Sequence, residues 1–172
     1  LIAGWSELAV FAYTRLGARI GATFHAIGAA LPDRDERRRW MALLAEQAAG
    51  EVRAMEREAA QILAAPLQDP LLALEAHLAL VVASKRGSPR HLEHLADAER
   101  LADTLDDPVR AYLVRIRRAN VTSEGDPADV VDLALTPGPR SPRAIAARTQ
   151  ACTFAIDRAL AVGRFDVAET IA

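Results

Sequence analysis

Apolar residues recur along this chain at helical spacing. Val109, Tyr112, Leu113 and Ile116 fall at i, i+3, i+4 and i+7, with Arg110, Arg117 and Arg118 off the stripe. Such a set lines one face of an amphipathic helix. Leu71, Leu74, Leu78, Val81 and Val82 mark a second core face, within a segment from Leu71 to Ala83 that is apolar on nearly every side. A helix of that kind belongs at the centre of an assembly, covered from several directions. It is only 13 residues long and holds Glu75 and His77, too short and too polar to span a bilayer. Asp129 to Leu135 has some strand character, but a lone strand would have no partner, so the segment reads as helix. Thr136 to Pro142, with three prolines, reads as a rigid loop.

The punctuation between apolar runs is periodic. Gly50, Gly87, Gly125 and Gly163 follow one another at intervals of 37, 38 and 38 residues. Each closes one helical stretch and opens the next. A second series, Asp69-Pro70, Asp107-Pro108 and Ser141-Pro142, marks the other joint. Asp or Ser at the N-cap accepts an orphan backbone N–H, and proline at the first helical position has no N–H to orphan. The alternation of Asp/Ser-Pro start, helix, glycine turn and helix gives helix-turn-helix units of about 34–40 residues, the period of helical solenoids. The units run over 33–65, 69–106, 107–140 and 141–172, the last cut short. Ahead of them, residues 1–31 read as one long helix, or a tight pair broken near Gly17, ended by Pro32 and Asp33. A chain beginning at Leu1 and stopping inside an amphipathic pattern reads as a piece of a longer protein.

Gly163-Arg164-Phe165-Asp166-Val167-Ala168-Glu169 resembles the second-helix opening of a tetratricopeptide repeat, in which glycine makes the turn, an aromatic packs two residues on and alanine permits close approach. Gly125-Asp126-Pro127-Ala128 looks like a variant of that turn, and the alanine-rich run from Leu92 into Asp107-Pro108 is similar. The resemblance covers residues 33–172. It implies an all-α fold, a right-handed stack of antiparallel helix pairs forming an α-solenoid of about four units. It further implies a segment of a bacterial LuxR-type transcriptional regulator linked to an ATPase module. The period departs from the usual 34 residues. The first-helix aromatic signature is missing, and Glu51-Val52 after Gly50 matches poorly.

Composition agrees with helix. Apolar residues make up 51% and aromatics 5% of 172 residues, with alanine, leucine, arginine and glutamate dominant, all strong helix formers. The net charge of −2 argues against a nucleic-acid surface, which needs a basic face. Lys85 is the only lysine, the mark of a GC-rich genome. One cysteine, Cys152, excludes an internal disulfide. With no secretory signal at the start, this fits a cytoplasmic protein.

Candidate chemistry is thin. A ferritin-like di-metal bundle would use inward glutamates such as Glu7, Glu46 and Glu75, but it also needs Glu-x-x-His pairs, and the chain contains none. His91 and His94 share a helix face and suit one metal ion, with Glu99 a turn away. Their place after the Gly87-Ser88-Pro89 turn reads instead as a solvated helix start. His25 and His77 sit singly on apolar helices, and Cys152 reads as a small buried hydrophobe. No phosphate loop, Gly-x-Ser-x-Gly or Cys-x-x-Cys occurs. Leu44 to Arg57 faintly suggests a DNA-reading helix pair, but Glu46, Glu51, Glu56 and Glu58 would face phosphates.

The expectation is therefore a non-enzymatic interaction module with no cofactor and no metal. Ten residues before each glycine stand Trp40, His77, Arg115 and Thr153, and six before stand Leu44, Val81, Ala119 and Asp157. In the resembled family these first-helix positions face a concave groove. Trp40, His77, Arg115 and Thr153 thus become candidate contacts for a partner peptide or a small effector, with no direct nucleic-acid contact and no membrane. The alternative is an all-helical, effector-binding dimerisation domain of a small repressor, which would be a homodimer.

Overall fold

A computed structural model describes residues 16–33, 35–122, 128–136 and 138–171. Among them every regular element is an α-helix: α1 (Gly17–Ala29), α2 (Glu36–Ala49), α3 (Val52–Ala64), α4 (Pro70–Ala83), α5 (Pro89–Leu105), α6 (Pro108–Thr122), α7 (Ala128–Leu135), α8 (Pro142–Ala161) and α9 (Phe165–Ile171). No helix among the described residues is long and apolar enough to cross a membrane. The chain divides into two compact units, one ending at Leu105 and one beginning at Asp106. Gly125 and Glu7 lie outside the described residues, as do residues 1–15 of the segment read as one helix or a tight pair.

The starts and stops follow the local chemistry. Asp69 accepts the N–H of Leu71, Asp107 those of Val109 and Arg110, and Ser141 that of Ala144. Each of these caps precedes a proline at the first helical position. Asp35 caps α2 in the same way through the N–H of Arg37. At the other joint Gly50, Gly87 and Gly163 adopt left-handed φ of +73°, +72° and +75°. The N–H of Gly50 donates to Gln47 O and that of Glu51 to Glu46 O, the paired bonds of a Schellman ending. Gly163 and Arg164 repeat the pair on Leu160 O and Ala159 O.

In the first unit consecutive helices pack together, and α4 also meets α2. The core gathers Phe24, Trp40, Leu43, Leu44, Met55, Ile62, Leu72 and Leu80. Each leucine-sized side chain removed from water contributes about 1.5–3 kcal/mol. As expected for a helix apolar all round, α4 is covered from several sides, by α2, α3 and α5. Val82 departs from expectation: it is 49% exposed, because buried neighbours on this helix run through Ala79, Leu80 and Val81 and the surface resumes one residue later. The first helix approaches α2 through glycines. A Cβ at Gly21 would stand 2.9 Å from Ala45 O, and one at Gly28 3.1 Å from Met41 Cβ.

In the second unit α8 packs against α6, α7 and α9. It does so through a stripe of Ala144, Ala147, Ala151 and Ala155, whose small side chains leave room for Tyr112, Ile116 and Val130. The segment with strand character is the helix α7. Its last carbonyls, which no intrahelical donor reaches, are met by side chains: the Tyr112 hydroxyl donates to Leu133 O at 3.2 Å and Arg148 Nε to Ala134 O at 3.0 Å. Two polar and apolar expectations invert here. Arg110, read as off the core stripe, is 4% exposed because its guanidinium folds back onto the Asp107 cap. Phe165, the aromatic that the repeat resemblance packs inward, is 68% exposed, and Ala168 is the residue of α9 that buries.

Candidate functional site

The four groove candidates fall two to each unit. Trp40 of α2 is buried in the first core. His77 of α4 is half-buried and meets α5. In the second unit Arg115 is exposed, its guanidinium carbon 5.9 Å from the Tyr112 ring centroid. Thr153 is exposed, its hydroxyl donating to Thr149 O within the same helix. Two places in the first unit have the makings of a site.

The first is a cleft of about 390 Å³ lined by Asp35, Glu36, Arg37, Arg39, Trp40, Pro66, Gln68, Asp69 and Leu72. It forms where the start of α2 faces the loop into α4. Its acidic groups are already engaged. Asp35 pairs with the Arg37 guanidinium, which holds the Asp35 carboxyl below the usual carboxylate range. Glu36 accepts the backbone N–H groups of Gln68 and Asp69 at 2.7 and 3.1 Å. Asp69 caps α4. Its donors are not all engaged. Among the described residues the Arg39 guanidinium makes no hydrogen bond or ion pair; Trp40 Nε1 also has no hydrogen-bond partner, but it is buried out of reach of solvent. A buried donor left unmade costs about 1–3 kcal/mol. The unused capacity that the cleft presents is therefore the Arg39 guanidinium, suited to a ligand that accepts.

The second lies where α4 and α5 pack. His77 Nδ1 is 3.2 Å from His94 Nδ1 and 3.7 Å from Asp97 Oδ2. The rings are tilted 56° to each other, with centroids 5.3 Å apart. All three side chains are half-buried, and one ligand atom from each lies within 4.8 Å of the others. Asp97 is held from its other oxygen, Oδ1, by Arg100. Burial pushes the His77 imidazole below the ordinary histidine value, reinforced by His94 and Arg100 and opposed by Asp97 and Glu93. Burial and then Arg90 push His94 the same way. Both imidazoles are thus held toward the neutral form, which has a lone pair to offer.

No family model, curated protein or solved structure matches this chain. The site therefore stands on its own residues.

The solvated helix start that the sequence suggests for His91 and His94 does not hold for His91. His91 is buried at 6% exposure at the start of α5, where Ser88 Oγ accepts its N–H. His94, on the next turn, meets His77 of the neighbouring helix. The missed member, Asp97, carried a signal in the sequence: His94 and Asp97 stand three apart on one helix face. Of the glutamates weighed for a di-metal bundle, Glu46 pairs with His25 at 3.0 Å and Glu75 is buried in α4.

Proposed function

We propose that this chain is a non-catalytic, cytoplasmic helical-repeat module of a bacterial LuxR-type regulator, a right-handed stack of antiparallel helix pairs that binds a carboxylate-bearing effector or the acidic side chain of a partner segment. The cleft at Trp40 and Arg39 is its receptor site, and no nucleic acid is touched directly. The repeat class rests on the alternation of glycine turns with Asp/Ser-Pro helix starts. The observation that carries the ligand class is the Arg39 guanidinium, which makes no hydrogen bond or ion pair among the described residues, in a cleft whose carboxylates are all occupied. A guanidinium with a carboxylate forms a charge-assisted, geometrically specific pair, and the Trp40 ring that lines the cleft would report its arrival.

The test is a fluorescence titration. Trp5 and Trp40 are the two tryptophans, so a Trp5→Phe background reports Trp40 alone. Succinate and a short glutamate-rich peptide are the two probes, separating a free effector from a partner segment. A saturable change with either, lost in Arg39→Ala, supports the reading. No saturable change with both, or one that survives Arg39→Ala, overturns it. Sequencing the gene beyond this segment checks the regulator assignment, which an adjoining ATPase or DNA-binding module supports and their absence removes.

A further inference from the structure

Three ligand-type atoms from two helices converge at the α4–α5 contact. His94 and Asp97 are one helical turn apart on α5, so they project from the same face, and that face meets His77 of α4. In a tetrahedral site with metal–nitrogen bonds of about 2.0–2.1 Å, neighbouring ligand atoms stand about 3.3 Å apart. The 3.2 Å between the two Nδ1 atoms and the 3.7 Å from His77 Nδ1 to Asp97 Oδ2 sit close to that spacing.

We propose that His77, His94 and Asp97 bind a divalent transition ion of the zinc class, with one coordination position left for water or an anionic oxygen. Two imidazole nitrogens and one carboxylate oxygen suit zinc and its neighbours and do not suit magnesium or calcium, which take sets of oxygen ligands. Arg100 is a positioning residue. It occupies Asp97 Oδ1 and leaves Oδ2 on the side of the histidines, the kind of outer contact that orients a ligating carboxylate. The site is half-buried, so an ion enters without unfolding the core. The competing account is a plain hydrogen bond between the two imidazoles, with Asp97 nearby by chance. It predicts no metal affinity, so the two readings separate cleanly. This site is independent of the cleft at Trp40 and stands or falls without it.

The experiment begins with protein stripped of metal by a chelator and titrated with cobalt(II) alone. The expected result is saturation at one ion per chain with visible bands of four-coordinate cobalt, displaced by zinc, while magnesium and calcium give no displacement. His77→Ala and His94→Ala should each abolish the bands. Arg100→Gln should weaken binding by about 10- to 100-fold. His25→Ala, at an exposed histidine paired with Glu46, should leave affinity unchanged. Circular dichroism and melting temperature report whether each variant folds. The unmodified protein gives a readout that needs no variant: zinc should slow acylation of His94 by diethyl pyrocarbonate and leave His25 unaffected. Absence of cobalt bands, retention of them in folded His77→Ala or His94→Ala, equal competition by magnesium, or unprotected His94 would each overturn the proposal.

Discussion

Gly21 of α1 faces the backbone of α2 so closely that a Cβ there would stand 2.9 Å from Ala45 O, with Ala49 Cβ at 3.4 Å. The near neighbour is a carbonyl held in a helical hydrogen bond and has nowhere to move. Replacing glycine by alanine inside a helix ordinarily gains about 1 kcal/mol. Here overpacking, at about 1–3 kcal/mol, should reverse the sign. Gly21→Ala is expected to lower stability by about 1 kcal/mol and Gly21→Val by more, read by urea denaturation. A stabilised Gly21→Ala would mean that α1 and α2 stand further apart.

Asp107 makes a pH-dependent cap. Burial alone would raise its pKa, but the backbone N–H and guanidinium of Arg110 and the N–H of Val109 outweigh burial and hold it below 3.8. A carboxylate with a lowered folded pKa stabilises above its unfolded value, and that contribution is lost as pH falls through the folded one. Asn also caps helices well, so Asp107→Asn isolates the charge. Its melting temperature should lie a few degrees below wild type at pH 6, for a loss of about 1 kcal/mol. The gap should close below pH 3.8, and a gap constant down to pH 2.5 would exclude the ionised cap.

Tyr112 ties the end of α7 to α6. Tyr112→Phe removes the hydroxyl that Leu133 O accepts and should cost about 1 kcal/mol. Gly138→Ala should cost more, since its Cβ would stand 2.8 Å from Tyr112 Cζ and displace the ring altogether. In a double variant the Tyr112→Phe increment should shrink, because the hydroxyl has already lost its place. Strict additivity in a double-mutant cycle would contradict the packing described.

Trp40 couples stability to the cleft. Trp40→Ala empties a core position and should cost about 3–5 kcal/mol. Trp40→Phe keeps much of the ring and deletes the unpartnered N–H, so relief of that buried donor offsets lost packing. The net change should stay under about 1.5 kcal/mol. Chemical denaturation of the two variants checks the contrast. If Phe costs nearly as much as Ala, the indole N–H is not a stored deficit.

Features written in short stretches of chain were legible in the sequence. The Asp-Pro and Ser-Pro starts and the glycine turns depend on a cap, a ring and a sign of φ within a few residues. Local spacing therefore places the starts of α4, α6 and α8 to the residue. The helical reading of Asp129–Leu135 also needed only a base fact about lone strands. Tertiary choices were less legible. Arg110 and Val109 differ by one position, and only the Asp107 cap decides that the arginine goes inward. His94 had two candidate companions at equal helical spacing, His91 before it and Asp97 after it. The packing of α4 on α5 selects Asp97 by bringing His77 alongside. For Phe165, the repeat pattern assigns an inward aromatic, yet α9 turns Ala168 to the core instead.

Gly50 has open space where a side chain would begin: a Cβ placed there meets nothing within 4 Å. Its requirement is thus one of handedness alone, set by a φ of +73°. The turn between α2 and α3 distinguishes mirror images and is indifferent to size. A D-amino acid, for which positive φ is the natural basin, would occupy the position without strain and would restrict the unfolded chain more than glycine does. By that measure Gly50 is an achiral residue holding a left-handed turn in a chain of one chirality.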